Sequence, residues 1–195
     1  MPRLYGEDLF LVDEFKERLG RTPRILNVGS GPGSVAGYLN VDLIPLEGVD
    51  LVADLNKIPW PFKDDSFDII LCNHIIEHME NIVQTMEEMH RVGLHGSRVV
   101  IRTPYWANYE SFCDPTHRWH LTWGSFDFFV GRVRNWRGYT QKNFNLVSKR
   151  LTFAHPWRNP GYYIFKLNVR TYEKYFSHLF PGTWLHVQLE VGKDK

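Results

Sequence analysis

The chain has 195 residues, 43% of them hydrophobic and 15% aromatic, with 23 basic against 22 acidic side chains and two cysteines. That length and balance suit one globular domain over residues 1–195, with a real core and an apolar cleft. No apolar run approaches the ~18 residues of a membrane span, no signal-peptide pattern opens the chain, and Cys72 and Cys113 stand apart, so a cytoplasmic protein without membrane insertion or a disulfide is expected.

Leu9, Phe10, Val12, Phe15 and Leu19 recur at helical spacing over 6–20, with Gly20 as the stop. They predict an amphipathic helix that packs on a sheet or roofs a ligand. Residues 24–33, RILNVGSGPG, then run an apolar strand into a turn with glycines at 29, 31 and 33. Glycine lets the backbone take positive φ and lets a ligand approach where a Cβ would collide. This spacing after a strand is a nucleotide-loop pattern of doubly wound sheets, although ordinary tight turns share it. A second strand over 38–42 ends in Asp42, placed to accept the hydroxyls of a ribose. A third over 50–55 carries Asp54, placed to meet an adenine amino group.

Residues 56–65 hold two prolines and Trp60 and read as a loop on the sheet, with Trp60 or Phe62 over the adenine as the alternative. Residues 66–74, SFDIILCNH, form a fourth strand with polar groups at its carboxyl end. A helix over 81–92 follows, with Ile82, Val83, Met86, Met89 and Val92 on one face and the methionines as core fillers. Residues 96–104 are the fifth strand, introduced by Gly93 and Gly96.

The run VGSGPG…NVDL…ADLNKIPWPFKDDSFDIILCNHIIEHMEN…MHRV…GSRVVIRTP resembles the class I S-adenosylmethionine-dependent methyltransferases over residues 24–106. The resemblance implies an α/β fold: a doubly wound, mostly parallel seven-stranded Rossmann-like sheet with an antiparallel C-terminal hairpin. It implies S-adenosylmethionine as cofactor. Gly29, Ser30, Gly31 and Gly33 would hold its methionine part, Asp42 and Leu43 its ribose, Asp54 and Leu55 its adenine, and Asn73 would lie beneath the methyl donor. One departure stands out. Only eight residues separate Gly33 from Asp42, whereas a dinucleotide fold places its acid about 20 residues on and a full crossover takes at least about 10–12. The first crossover helix is therefore shortened to a turn or two. A pyrophosphate wants a proper helix N-terminus, so NAD and NADP are disfavoured.

Candidate chemistry clusters after the fourth strand, in NHIIEH at 73–78, and after the fifth, in DPTHRWH at 114–120. His74, His78, Asp114 and His117 are the candidate catalytic residues, with His74 or His117 as base and Asp114 orienting a histidine. His74, Glu77 and His78 also match the H-x-x-E-H spacing of inverted zinc proteases, but that motif needs a long helix and here it follows a strand. The IEHM segment with a later D-x-x-H resembles the metal-assisted 2′-O-methyltransferases of small RNA 3′ ends, and more loosely the ubiquinone-pathway O-methyltransferases. That likeness implies a divalent metal on Glu77, His78 and His117, with His74 where a glutamate is expected. The substitution favours a softer ion such as Zn²⁺ over Mg²⁺, or no metal. In the plainer alternative, IEH caps the next helix and His78 is bonded internally.

Residues 123–130 predict a short aromatic helix, 144–153 and 184–191 the closing antiparallel strands, and 158–181 an inserted helix or lid. Segments 105–140 and 155–183 thus cap the substrate side. Residues 1–97 carry 8 basic and 16 acidic side chains, residues 98–170 carry 12 and 3. Either the C-terminal half faces an anion or the two halves neutralise each other. Arg118, Arg132, Arg134, Arg137 and Arg158, interleaved with Trp119, Trp123, Trp136 and Trp157, suit a grip on phosphate and a stacked ring, or a solvated rim. Three functions follow: methyl transfer to an oxygen (or nitrogen) of a small anionic metabolite or glycan intermediate; methyl transfer to RNA; or a non-catalytic cofactor-binding module.

Overall fold

The computed structural model describes residues 6–131, 140 and 142–193. Its centre is a seven-stranded sheet in the order β3-β2-β1-β4-β5-β7-β6. Strands β1 (Ile25–Val28), β2 (Leu39–Asp42), β3 (Leu51–Val52), β4 (Phe67–Asn73) and β5 (Gly93–Pro104) run parallel. Strand β7 (Trp184–Gly192) lies antiparallel between β5 and β6 (Asn143–Leu151). The chain leaves β1 for β2 on one side and later returns to place β4 on the other. The carboxyl end of β1 is thus a switch point, where a crevice opens in such sheets.

Two apolar layers hold the sheet. On one face, α2 (Ile82–Val92) sends Met86, Met89 and Val92 onto Leu26, Ile70, Val99, Ile101 and the alternate β7 residues Leu185, Val187, Leu189 and Val191. Asn81 caps this helix by accepting a hydrogen bond from the Gln84 amide. Trp60 belongs to the same layer, its indole N–H donating to the Leu55 carbonyl; it is a core residue of the sheet and not a cover for a ligand. On the other face, α1 (Gly6–Leu19) packs Leu11 and Phe15 against Ile25, Ile69, Leu71 and Val100.

Helix α1 is rotated from the face its apolar spacing suggests. Leu9 and Phe10 are 51% and 79% exposed, while Asp8 is 2% exposed. The cause is an ion pair: the Asp8 carboxylate meets the buried Arg102 guanidinium of β5 at 2.6 Å. The third strand is also shorter than expected, because the chain turns at Asp54, whose carboxylate accepts from the Asn56 amide at 3.1 Å.

The short first crossover is confirmed. A single 3-10 turn, Gly31–Gly33, replaces the helix. Its place is taken by the buried side chain of Asn40. Its oxygen accepts from the Val35 amide and from Asn27 Nδ2, and its nitrogen donates to the Val35 and Tyr38 carbonyls and to Asp50. One amide thus satisfies backbone groups that a helix would have paired internally.

The expected helix over 123–130 is a 3-10 turn, Ser125–Phe128, anchored by Phe126 and Phe129. After β5 comes the short helix α3 (Glu110–Cys113), and between β6 and β7 lie α4 (Pro160–Leu167), α5 (Val169–Thr171) and a π turn, Tyr172–Phe176. Phe165 and Tyr172 of this insert pack on Tyr105, Leu151 and Phe153. Glu173 pins it by accepting from the Tyr105 hydroxyl at 3.1 Å and the Trp123 amide at 2.8 Å. No described helix is long and apolar enough to cross a membrane.

Candidate active site

The glycine loop follows β1 directly. A Cβ at Gly29 (φ 59°) would lie 2.5 Å from Ile75 Cγ1, so this glycine makes room for a neighbouring side chain. Gly31 (φ 50°) and Gly33 have nothing within 4 Å of a built Cβ and border open space. Those two positions suit the close approach of a ligand to bare backbone. Asp42, at the carboxyl end of β2, accepts from the Gly31 amide at 2.7 Å and the Ile44 amide at 3.0 Å. The carboxylate is therefore a splint for the loop before it meets any sugar.

The other residues assigned to the cofactor follow the strand ends. The Ser30 amide donates to the Val41 carbonyl, joining the loop to β2. Leu43 is exposed beside Asp42, Asp54 stands partly exposed past β3, and Leu55 is buried in the core. Asn73 ends β4, its side-chain oxygen Oδ1 accepting from Arg102 at 2.7 Å.

The IEH segment is a 3-10 turn, Ile76–His78, just past β4. Before it, His74 adopts φ 55°, an uncommon value for a side-chain-bearing residue, and its amide donates to the Arg102 carbonyl. The segment after β5 folds back onto this turn. The Arg118 and Trp119 amides both donate to the Glu77 carbonyl, and the Trp119 indole donates to the Met79 carbonyl at 2.7 Å. Residues some forty positions apart are thereby clamped together.

That clamp brings Glu77, His78 and His117 into one group whose ligand atoms lie within 4.8 Å of one another. Both imidazoles have their tautomers fixed. The carboxylate of Asp114 can only accept, so the Thr116 hydroxyl donates to it at 2.6 Å, and the Thr116 oxygen accepts from His78 Nδ1 at 2.9 Å. His117 Nδ1 stands 3.1 Å from the Ser111 carbonyl and must donate. In the neutral form of either ring the lone pair therefore falls on Nε2. Asp114 is held below the usual carboxylate range by the hydroxyl and amide of Thr116.

Glu77 completes the group. It is 1% exposed, and neither carboxylate oxygen has a hydrogen-bond partner among the described residues. His74 Nδ1 stands 3.6 Å from Oε1, beyond hydrogen-bond reach. A buried carboxylate with no donor is costly unless a cation faces it. Two imidazole nitrogens and one such carboxylate are a donor set for a divalent transition ion. His74 lies outside that group; its ring packs edge-on against Trp184 at 4.6 Å.

A family model described as a methyltransferase domain matches residues 44–101. An uncharacterized methyltransferase of Mycobacterium tuberculosis is 32% identical over 117 residues, covering 51% of this chain and 45% of that protein. An uncharacterized protein of Methanocaldococcus jannaschii is 32% identical over 92 residues, 40% of this chain and 43% of that protein. The chain thus spans less than half the length of these curated relatives. Among solved structures, a SAM-dependent methyltransferase from Archaeoglobus fulgidus superposes with a TM-score of 0.55 at 16% identity, over 95% of this chain and 100% of that one.

The chain is thus similar to methyltransferase domains in sequence over residues 44–101, and to SAM-dependent methyltransferases in fold over nearly its whole length.

The same fold also serves other chemistry: the cyclase SpnF superposes with a TM-score of 0.56 at 16% identity, over 100% of this chain and 85% of that one. Within the methyltransferase fold, the residues assigned to cofactor and acceptor all sit at the carboxyl ends of the parallel strands. Of the arginine and tryptophan rim, Arg132, Arg134, Arg137 and Trp136 lie outside the described residues. Trp119 serves the clamp, and Trp123 packs against Phe165 and beneath Lys149. Trp157 is exposed. Sequence reading missed Thr116 and Ser111, which fix the histidine tautomers; their only signal was closeness to His117.

Proposed function

We propose that this chain is an S-adenosylmethionine-dependent methyltransferase acting on an oxygen of a small anionic acceptor, with Glu77, His78 and His117 beside the acceptor hydroxyl. The observation that carries the reading is Glu77, a buried carboxylate with no hydrogen-bond donor among the described residues, grouped with His78 and His117. Gly31 and Gly33 border the space a ligand needs, and Asp42 fits a ribose, so the residues present suit the cofactor. When bound, S-adenosylmethionine supplies an electrophilic methyl on a positively charged sulfur.

The chain's contribution is alignment and proton transfer. The acceptor oxygen forms a bond to the methyl carbon as the carbon–sulfur bond breaks, and that electron pair stays on sulfur, leaving a neutral thioether. The hydroxyl proton passes to a histidine Nε2. Orientation of reacting groups is worth effective molarities of roughly 10⁵–10⁸ M, and a placed base adds about 10²–10⁴. Asp114 and Thr116 keep His78 in the accepting tautomer. Glu77, His78 and His117 would alternatively hold a divalent cation; their lone pairs would then be taken up as ligands, and the cation, as a Lewis acid, would favour the ionised acceptor in place of a histidine base.

The test is incubation of the protein and a small-molecule extract with donor carrying an isotopically labelled methyl. Label should appear in an acidic metabolite as a methyl ether or ester, and a chelator should lower the rate. Tight cofactor binding with no labelled product in small-molecule or RNA fractions would sink the reading in favour of a non-catalytic module. Labelled RNA would replace the acceptor assigned here.

A further inference from the structure

The face of the sheet that carries α1 holds a second constellation of cations. Strand β7 buries Leu185, Val187 and Leu189 on the α2 side, so His186 and Gln188 face the other way. The register sets Arg102 of β5, His186 of β7 and Arg150 of β6 side by side across three strands, with Val100, Gln188 and Ser148 as the next row. Neighbouring strands stand about 4.8 Å apart, so each row is a short ladder of adjacent side chains. The apolar contacts of α1 stop at β5. Above the β7 and β6 ladders a cavity of about 580 Å³ remains, closed at its sides by Glu7 of α1 and Lys166 of α4.

Its charges do not cancel. Arg102, 1% exposed, is matched by Asp8, and Arg150 is bonded to Glu7. Lys166 has no carboxylate partner among the described residues; its ammonium stands 5.7 Å from the Tyr162 ring. Arg102 also donates to the Asn73 side chain at the end of β4, so one buried guanidinium touches both the floor of the cavity and a residue assigned to the cofactor.

We propose that this cavity binds the phosphate group of the acceptor, through Lys166, Arg150 and His186, and so selects phosphorylated small molecules. The assignment of that phosphate to an acceptor rests on the methyltransferase reading above. The volume falls in the range of small-ligand pockets, roughly 300–1,000 Å³, and leaves room for the atoms that bear the phosphate. Arg150 offers a planar fork and Lys166 a mobile point charge, a pairing suited to an oxyanion.

His186 supplies the readout. Burial, then the charges of Arg102 and Arg150, push its imidazole down to about 4, with Glu7 acting the other way and His74 adding to the depression. At neutral pH it is uncharged, and a bound phosphate beside it should raise its titration midpoint.

The experiment is titration of inorganic phosphate into the full chain with adenosylhomocysteine present. Nitrogen-resolved NMR of the His186 ring reads phosphate, and calorimetry on the same sample reads the nucleoside ligand. Expected are a saturable shift of the His186 signals, an upward move of its midpoint, and at least a tenfold loss of phosphate affinity in Lys166→Glu and in Arg150→Gln. No saturable shift in the wild-type chain, or equal phosphate affinity in both variants, overturns the proposal. So does a saturable response to acetate as strong as that to phosphate, or a short RNA that binds here with steep salt dependence while phosphate does not. Adenosylhomocysteine binding with no phosphate binding removes this site and leaves the methyltransferase reading intact.

Discussion

Glu77 and Thr116 make opposite claims on the same centre, and substitution separates them. Glu77→Met removes a buried carboxylate that lacks a donor, so the metal-free protein should gain about 1–3 kcal/mol against urea while losing its affinity for Zn²⁺. A loss of stability would mean that the carboxylate has a partner after all. Thr116→Val keeps every ligand but removes the acceptor for His78 Nδ1. It should lower Zn²⁺ affinity by about 10–100-fold, the usual weight of a group that orients a ligand, with little change in unfolding midpoint. Asp42→Ala strips the glycine loop of its splint and should weaken adenosylhomocysteine by more than about tenfold by calorimetry. Its position at the end of the second strand, with the resemblance, is what assigns Asp42 to a ribose. That it also binds the Gly31 amide could not be read, because the contact depends on a loop conformation set by positive φ values.

At the scale of elements, strand order was legible and helix orientation was not. Four apolar runs ending in polar residues, and a count of eight residues between Gly33 and Asp42, suffice for a parallel sheet with a curtailed crossover. What replaces the missing helix is one buried amide, Asn40, whose partners lie on three segments; nothing in its local sequence sets it apart from a surface asparagine. Helix α1 misleads for a related reason. Apolar spacing assigns Leu9 and Phe10 inward, yet the Asp8–Arg102 pair fixes the rotation. Breaking a buried pair leaves one charge uncompensated, so Asp8→Ala should cost about 3–5 kcal/mol in chemical denaturation. Asp8→Leu combined with Arg102→Met should recover much of that loss, because two apolar groups need no partner. If the double variant is as weak as the single one, the helix is positioned by its apolar contacts and not by the pair.

Across the whole molecule, the acidic first half and basic second half are partly spent on each other. Arg102 meets Asp8, Arg150 meets Glu7, Arg98 stands 3.8 Å from Glu14, and Arg118 stands 3.4 Å from Glu80. The crowding of cations where those pairs converge has a consequence for folding under acid. His186 is held down to about 4 by burial and then by Arg102 and Arg150, whereas an unfolded histidine titrates near about 6.5. Between those values the unfolded chain binds the extra proton, so stability rises with pH through that window. Above it both states are neutral and the full stability is present. The contribution lost on acidification is on the order of 1–2 kcal/mol once partial exposure of the ring is allowed for. His90 is depressed in the same direction by burial, so His186→Gln should reduce the slope of melting temperature against pH between about 6.5 and 4 without abolishing it. Carboxylates add to the slope below about pH 5. An unchanged slope in His186→Gln would place the acid sensitivity elsewhere, and would mean that Arg102 and Arg150 do not crowd the ring as the sheet register arranges them.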